Sequence, residues 1–444
     1  MAQPGPATRT LRKRKDPVST NDDSGAVMEA MKPLTDEERR SWKGWVELES
    51  DPALFNFILR EYGVRDVKIQ EVLALDDEML GLLPNPVYGL IFLFKYRDED
   101  EDAKAETEVE TKTKASKCPK QVWFANQTTN NACATVALLN IVMNVPEINL
   151  GDVLSVFKKH TQGLKPAYRG QRLGCNDFIR SIHNSFVRRM DILNADLALQ
   201  GEFERWKRIK NNPRRKKTSN TKTKPKDEDE PGYHFIAYVP IDNVVWRLDG
   251  LQRHPTKLGP SGDNWMAVAR DNIYRRICQY EDDGVQFSLL ALGASPLRTL
   301  PKKIAASMKS VMAVEEVLSL VLPDWKLFVT GDIPPTASEL CESFGVTNDL
   351  IETTELPIST KEDLEKTGSD PQKLMELRLR MVGDYAALCR SYLEEAALIG
   401  QEDDQAAKRK EDHTPVIYSA IKKIAEAGVL KGIVADIREN GMKL

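Results

Sequence analysis

With 444 residues, 41% of them hydrophobic, the chain is long enough for one large or two modest domains with a sizeable core. A formal net charge of -4 is small for that length and argues for neither a nucleic-acid binder nor a membrane-surface protein. The six cysteines are scattered, without a CxxC pair or zinc-type spacing, so reduced thiols and no metal or other cofactor are expected.

The first thirty residues lack a secretory apolar core, and no apolar run reaches the ~20 residues of a membrane span, so a soluble intracellular protein is expected. Residues 1–38 are polar, with a basic cluster at Arg9, Arg12, Lys13, Arg14 and Lys15, and read as a disordered extension. Structure is expected from about Trp42. In WVELESDPALFNFILREYGV, Leu54, Phe57, Ile58 and Tyr62 fall at helical spacing behind Ser50 or Asp51 as cap and Pro52 in the first turn. After a second short helix, YGLIFLFKYR at 88–97 reads as a buried strand, and the charged run at 98–117 as a solvated insertion. The run NNACATVALLN opens an apolar helix, and CNDFIRSIHNSFVRRM stacks Phe178, Ile182, Phe186 and Met190 on one face. A long loop is expected over 195–231, then two β-rich runs around a turn in YHFIAYVPIDNVVWRLDG, and a strand over 285–293. Residues 300–325 have helical periodicity, and 313–373 read as a linker, poorly ordered from 326. Beyond 374 come two helices. Leu374, Leu377, Met381, Tyr385, Leu388 and Tyr392 stripe the first; Ile417, Ile421, Ile424, Leu430, Ile433 and Ile437 stripe the second, which starts at Pro415 and breaks or bends at Gly428. Such stripes must dock on the main domain or on a partner.

A cysteine in an apolar run is ordinarily core filler. Cys133 differs in standing at a helix start, where unpaired N–H groups and the helix dipole favour a thiolate. A thiolate nucleophile needs a base, and the base an orienting group. If the turn after the first β-rich run is centred on Ile241 and Asp242, paired residue numbers sum to 483 and His234 lies opposite Asp249. Directly opposed side chains have Cβ atoms about 4.5–5.5 Å apart, near enough for a His–Asp pair. Gln127, six residues before Cys133, is placed to join the Cys133 N–H in an oxyanion hole.

The segment NQTTNNACATVALLN resembles the active-site segment of the ubiquitin C-terminal hydrolases, the peptidase C12 family, in which a glutamine and then N-A-C-[AG]-T open the central helix. WVELESDPALFNFILREYGV, YGLIFLFKY, HNSFVRR and YHFIAYVPIDNVVWRLDGLQRHPTKLG agree in order from about 42 to 310. The resemblance implies an α+β, papain-like cysteine hydrolase fold, with an antiparallel sheet and central cysteine helix, and a catalytic domain over 39–312. It makes Cys133 the nucleophile, His234 the general base, Asp249 the orienting carboxylate, Gln127 the oxyanion donor and 195–231 the crossover loop past which the ubiquitin tail must thread. A deubiquitinating thiol hydrolase of cytoplasm and nucleus follows, with ubiquitin and its conjugates as partners and no membrane or direct nucleic-acid role. Residues 374–444 resemble the helical extension of the long members, most nearly the proteasome-associated one, which implies a proteasome receptor on 374–440; a chromatin adaptor for an enzyme acting on ubiquitinated histone is the alternative. The chain stops at Leu444 without that member's lysine-rich tail. A non-catalytic ubiquitin scaffold is disfavoured because all four catalytic positions are filled.

Overall fold

Six antiparallel strands form one sheet in the order β1-β6-β2-β3-β4-β5: β1 (Val67–Glu71), β2 (Val87–Lys95), β3 (Tyr233–Ile241), β4 (Val244–Leu248), β5 (Thr256–Pro260) and β6 (Ser288–Ala294). The computed structural model describes residues 23–95, 118–211, 233–262, 264–279, 287–329 and 343–440. Both faces of the sheet are covered, which is why its central strands read as continuous apolar runs rather than alternating ones. Along β3, Phe235, Ala237, Val239 and Ile241 join one core, and Ile236 and Tyr238 the other. The first core also holds the cysteine helix, Cys133–Val142, and the helix Pro52–Glu61; the second holds Ala269 and Ile273 of the helix Trp265–Gln279.

In chain order the helices are α1 (Asp23–Ala30), α2 (Asp36–Ser41), α3 (Pro52–Glu61), α4 (Asp77–Gly81), α5 (Cys133–Val142), α6 (Gly151–Thr161), α7 (Pro166–Gly174), α8 (Asp177–His183), α9 (Arg189–Asn211), α10 (Trp265–Gln279), α11 (Pro296–Val321), α12 (Asn348–Thr353), α13 (Ile358–Thr367), α14 (Pro371–Arg409), α15 (Thr414–Glu426) and α16 (Leu430–Asn440). They divide between two compact units. One comprises Arg39–Phe186 and Asn212–Glu411; the other Met1–Glu38, Val187–Asn211 and Asp412–Leu444.

In the first unit, α14 runs along α11 and reaches α3. Val311, Val314 and Leu318 of α11 meet Leu374, Leu377 and Met381 of α14 around Trp325. Farther along α14, Glu395 pairs with Lys68 at 2.5 Å, and Glu402 and Asp403 pair with Arg60 of α3 at 3.3 and 2.5 Å. In the second unit, Arg189 of α9 donates to the Lys32 and Pro33 carbonyls and to Glu38, while α15 and α16 form a hairpin broken at Gly428, whose φ is 74°. Glycine adopts that left-handed conformation without a Cβ penalty.

Several expectations need correction. The extension before residue 39 contains α1 and the start of α2; Thr35 and Glu38 form a reciprocal capping box, with Thr35 N to Glu38 Oε2 at 2.9 Å and Glu38 N to Thr35 Oγ1 at 3.2 Å. The loop expected from 195 is helical as far as Asn211, because its Leu, Ala, Gln, Glu, Arg and Lys residues are good helix formers despite their polarity. The expected linker holds the end of α11 as well as α12 and α13, which dock with few anchors each: Val346 and Ile351 sit in an apolar cluster, and Thr360 bonds Ser310 at 2.9 Å. Strands β1 and β5 were not anticipated. The charged run at 98–117, the basic cluster at 9–15, and the part of the expected crossover loop beyond Asn211 lie outside the described residues.

Candidate active site

The cysteine helix α5 is clasped to the chain that precedes it. Asn140 accepts from Ala125 N at 2.9 Å and donates to Ala125 O at 3.2 Å, and Asn144, one turn on, does the same to Trp123 at 2.8 and 2.7 Å. Buried Arg169 donates to the Val122 and Phe124 carbonyls from the other side. Segment 122–126, which belongs to no sheet, thereby has many of its backbone groups satisfied by side chains, while Val122 N and Asn126 N donate to the Pro119 and Pro166 carbonyls. The next residue is Gln127. Its N–H donates to Gly250 O at 2.8 Å, and Asn126 donates to the Gly250 and Gln252 carbonyls. A Cβ on Gly250 would sit 3.2 Å from Gln127 N, and one on Gly170 would run into the Asn126 carbonyl, so both glycines admit a close backbone approach.

From Gln127 the chain turns at Asn131, which has φ 61° and donates to Trp45 O at 3.1 Å, and enters α5 at Cys133. Asparagine tolerates the left-handed region better than most residues. The turn therefore sets Cys133 in the first turn of the helix, where the free N–H groups and the positive end of the dipole lie.

The β3–β4 hairpin turns on Asp242 and Asn243, at φ 49° and 61°, rather than on Ile241 and Asp242. Two central residues with positive φ make a type I′ turn, so Ile241 faces Val244 and Ala237 faces Leu248. Paired numbers thus sum to 485, not 483, and His234 is not directly opposite Asp249. The two are diagonal neighbours instead. The discrepancy is an even number, so the alternation of faces is unchanged, and a diagonal pair remains within reach of long side chains. His234 Nε2 and Asp249 Oδ1 are 2.7 Å apart. Asp249 Oδ1 also accepts from Leu251 N at 3.0 Å. The His234 ring is within hydrogen-bonding reach of Cys133.

One pocket of about 140 Å³ is lined by Cys133, His234 and Gln127 together with Glu47, Asn131, Tyr233 and Leu251. Asp249 lies behind His234, outside the lining. The structure therefore brings all four sequence-selected residues into one constellation. Burial by itself would depress the His234 imidazole, but the Asp249 carboxylate and the Cys133 sulfur outweigh it and raise it from 6.5 to about 9. Burial likewise pushes the Asp249 carboxyl upward, and the facing imidazole together with the Leu251 N–H brings it below its ordinary value. Gln127 Oε1 is enclosed and makes no hydrogen bond. Glu47, Tyr233 and Leu251 had not been selected from the sequence, since each reaches the pocket from an exposed backbone position. The Glu47 carboxyl is raised by its partial burial there. Among the described residues, no cluster of His, Cys, Asp and Glu is arranged to hold a metal ion, and no helix is long and apolar enough to cross a membrane.

The family model for ubiquitin carboxyl-terminal hydrolase, family 1 (peptidase C12), matches residues 45–278, which is more than half of the chain. The chain belongs to this family. It is a cysteine deubiquitinase with a papain-like α+β fold. The hydrolase is 29% identical over 402 residues to ubiquitin carboxyl-terminal hydrolase isozyme L5 of Dictyostelium discoideum, covering 89% of this chain and 96% of that protein. It is 33% identical over 252 residues to ubh-4 of Caenorhabditis elegans, covering 56% of this chain and 66% of the relative. Among solved structures, Trichinella spiralis UCH37 bound to ubiquitin vinyl methyl ester is similar at 26% identity and a TM-score of 0.42, over 59% of this chain and 86% of that one.

Proposed function

We propose that this hydrolase cleaves the peptide or isopeptide bond after the C-terminal glycine of ubiquitin through Cys133, His234, Asp249 and Gln127. The observation that carries the reading is the 2.7 Å His234–Asp249 pair, with Cys133 in reach of the same ring. Asp249 accepts from Nε2–H, which leaves Nδ1 to face the sulfur and fixes the imidazole's orientation. The Cys133 thiolate attacks the glycine carbonyl carbon. Its oxygen takes the negative charge and receives hydrogen bonds from the Gln127 amide and the Cys133 backbone N–H. His234 then gives its proton to the leaving amine as the C–N bond breaks, leaving a thioester. Water attacks the thioester and passes its proton to His234, and the thiolate departs, freeing the ubiquitin carboxylate.

The test is covalent capture by a ubiquitin probe with a C-terminal electrophile. An adduct on the wild type that vanishes in Cys133→Ala is expected. No adduct on the wild type, or one undiminished in Cys133→Ala, would overturn the assignment.

The helices beyond Thr414 are read as the seat of a regulatory partner that recruits the enzyme to the proteasome, in cytoplasm and nucleus. Two observations support this reading. The isozyme L5 match extends over 89% of the chain, so the likeness to that relative is not confined to the catalytic domain. In addition, Val416, Ile417, Ile421 and Ile424 of α15 and Ile433 and Ile437 of α16 are exposed. A chromatin adaptor in the same place is the alternative. Recovery of proteasome subunits rather than chromatin regulators by the full-length chain, lost on substitution of those residues, separates the two.

A further inference from the structure

Segment Gly44–Glu47, which belongs to no helix or strand, contributes Glu47 to the pocket wall. Side chains fill several of its backbone groups. Asn131 donates to Trp45 O at 3.1 Å; Asn184 donates to Gly44 O at 2.9 Å and accepts from Val46 N at 3.2 Å; His183 Nε2 meets Val46 O at 2.7 Å. The next residue, Glu47, puts its side chain into the pocket.

His183 is fully buried and takes no part in the chemistry above. Its other nitrogen, Nδ1, lies 2.8 Å from Oγ1 of Thr135, two residues after Cys133 in the same helical turn. Burial pushes His183 down from 6.5 to about 4, so the ring is neutral at working pH. A carbonyl can only accept, which puts the single ring hydrogen on Nε2 and leaves Nδ1 to accept from the Thr135 hydroxyl. The bridge therefore has one direction throughout: Thr135 to His183 to Val46. Trp45 closes over it, its ring edge-on to the imidazole at 4.7 Å between centroids. One ring thus joins the helical turn that carries Cys133 to the residue before Glu47.

We propose that His183 is a positioning residue: it ties Thr135 of the nucleophile helix to Val46 of the pocket wall and so aligns the bound ubiquitin tail with the Cys133 sulfur. The inference rests on the catalytic reading above. Among the described residues, the link from this segment to α5 runs through His183; Asn131 reaches the segment from the preceding turn and Asn184 from beyond α8. Loosening the bridge leaves Cys133, His234 and Asp249 in place but lets the wall and the bound tail drift from the sulfur. Misplacement of a reacting carbonyl by about 1 Å costs on the order of 100-fold in rate.

The experiment uses the full-length chain carrying His183→Asn, which keeps an amide atom at the Nδ1 position for Thr135 and loses Val46; His183→Gln, which keeps one at the Nε2 position for Val46; and Thr135→Val and Thr135→Ser. Each is titrated with the ubiquitin electrophile probe, so that rates are expressed per active site. kcat and KM are then measured on a ubiquitin C-terminal amide, alongside the rate at which iodoacetamide alkylates Cys133. His183→Asn, His183→Gln and Thr135→Val each break one end of the bridge and are expected to lose about tenfold or more in kcat per titrated site, with KM and alkylation within about twofold of wild type, whereas Thr135→Ser, which keeps the hydroxyl, is expected to stay near wild type. A residue that only supports the fold would lower the titrated fraction and leave kcat per site intact, and that result overturns the proposal. So does an equal loss of alkylation, or a His183→Asn and a His183→Gln that both keep kcat per site within about twofold of wild type. If His183→Asn does not fold, Thr135→Val against Thr135→Ser decides the matter on the same criteria. Absence of any probe adduct on the wild type is a different failure, that of the catalytic reading.

Discussion

Helices α5 and α15 are both short and apolar, 10 and 13 residues long, yet every residue of α5 is buried and none of α15 is. The difference lies in what each apolar side is for. In α5 the sheet and α3 supply partners all round, so its thiol sits in a fixed frame with its polar residues, Thr135 and Asn140, each committed to a named bond. In α15 the apolar residues recur at three- and four-residue steps on one side and face outward, which is the pattern of a surface built to be covered. Substitutions in α5 and its neighbours should therefore remove chemistry or stability. Substitutions in α15 should remove neither.

The largest effects belong to the triad. Cys133→Ala should abolish hydrolysis, and Asp249→Asn should lower kcat by about 10⁴, the scale seen when the orienting carboxylate of a hydrolase triad is replaced. Steady-state turnover on a ubiquitin amide checks both, and a loss under tenfold for Asp249→Asn would remove that residue from the mechanism. Gln127→Ala should cost about 10²–10³ in kcat with little change in KM, as for a lost oxyanion donor.

The same site sets a pH dependence. His234 is raised from 6.5 to about 9, chiefly by Asp249 and Cys133 acting against burial. Its imidazolium thus adds stability that is complete below pH 6.5 and is lost as the pH climbs through about 9. Hydrolysis should fall along an alkaline limb near pH 9, and in Asp249→Asn that limb should move toward 6.5. A pH–rate profile whose alkaline limb is unmoved in Asp249→Asn would contradict the assignment of the shift to this pair.

Much of the site was legible in the sequence because its parts are local. Cys133 opens an apolar run, and His234 and Asp249 flank one tight hairpin. The hairpin also shows the limit. Whether the turn centres on Ile241 and Asp242 or on Asp242 and Asn243 is a choice of two positive-φ positions, which a D-N pair marks and an I-D pair does not. The wrong centre displaced the register by an even number, and so placed the right residues on the right face. Glu47 and His183 were not legible as pocket-side residues, because their positions depend on contacts across more than a hundred residues of chain. Asn140, buried in an apolar helix, was a signal that could have been used: an asparagine there must find backbone partners. Helices α12 and α13 escaped notice for a different reason. Each offers so few buried anchors that no stripe forms in the sequence.

Smaller than the catalytic losses, but still large for stability, is the effect of Leu138→Ala in the middle of α5. The side chain is fully buried, and such truncations cost about 2–5 kcal/mol. Denaturant unfolding followed by a probe in the first unit measures it.

The smallest effect is the most informative about α15. Ile421 is 47% exposed, as are its neighbours Ile417 and Ile424 at 56% and 38%. Ile421→Glu therefore removes little buried area and should change stability by no more than about 0.5 kcal/mol. Turnover of a small ubiquitin amide by the isolated enzyme should be unchanged. Retention of the partner proposed for this surface should nevertheless collapse, because an anchor in a helix-in-groove contact contributes through desolvation that a carboxylate prevents. If Ile421→Glu instead lowers stability by an amount like that of Leu138→Ala, α15 is covered by the chain's own residues in solution. Its stripe would then be core, and the contrast with α5 would be one of degree.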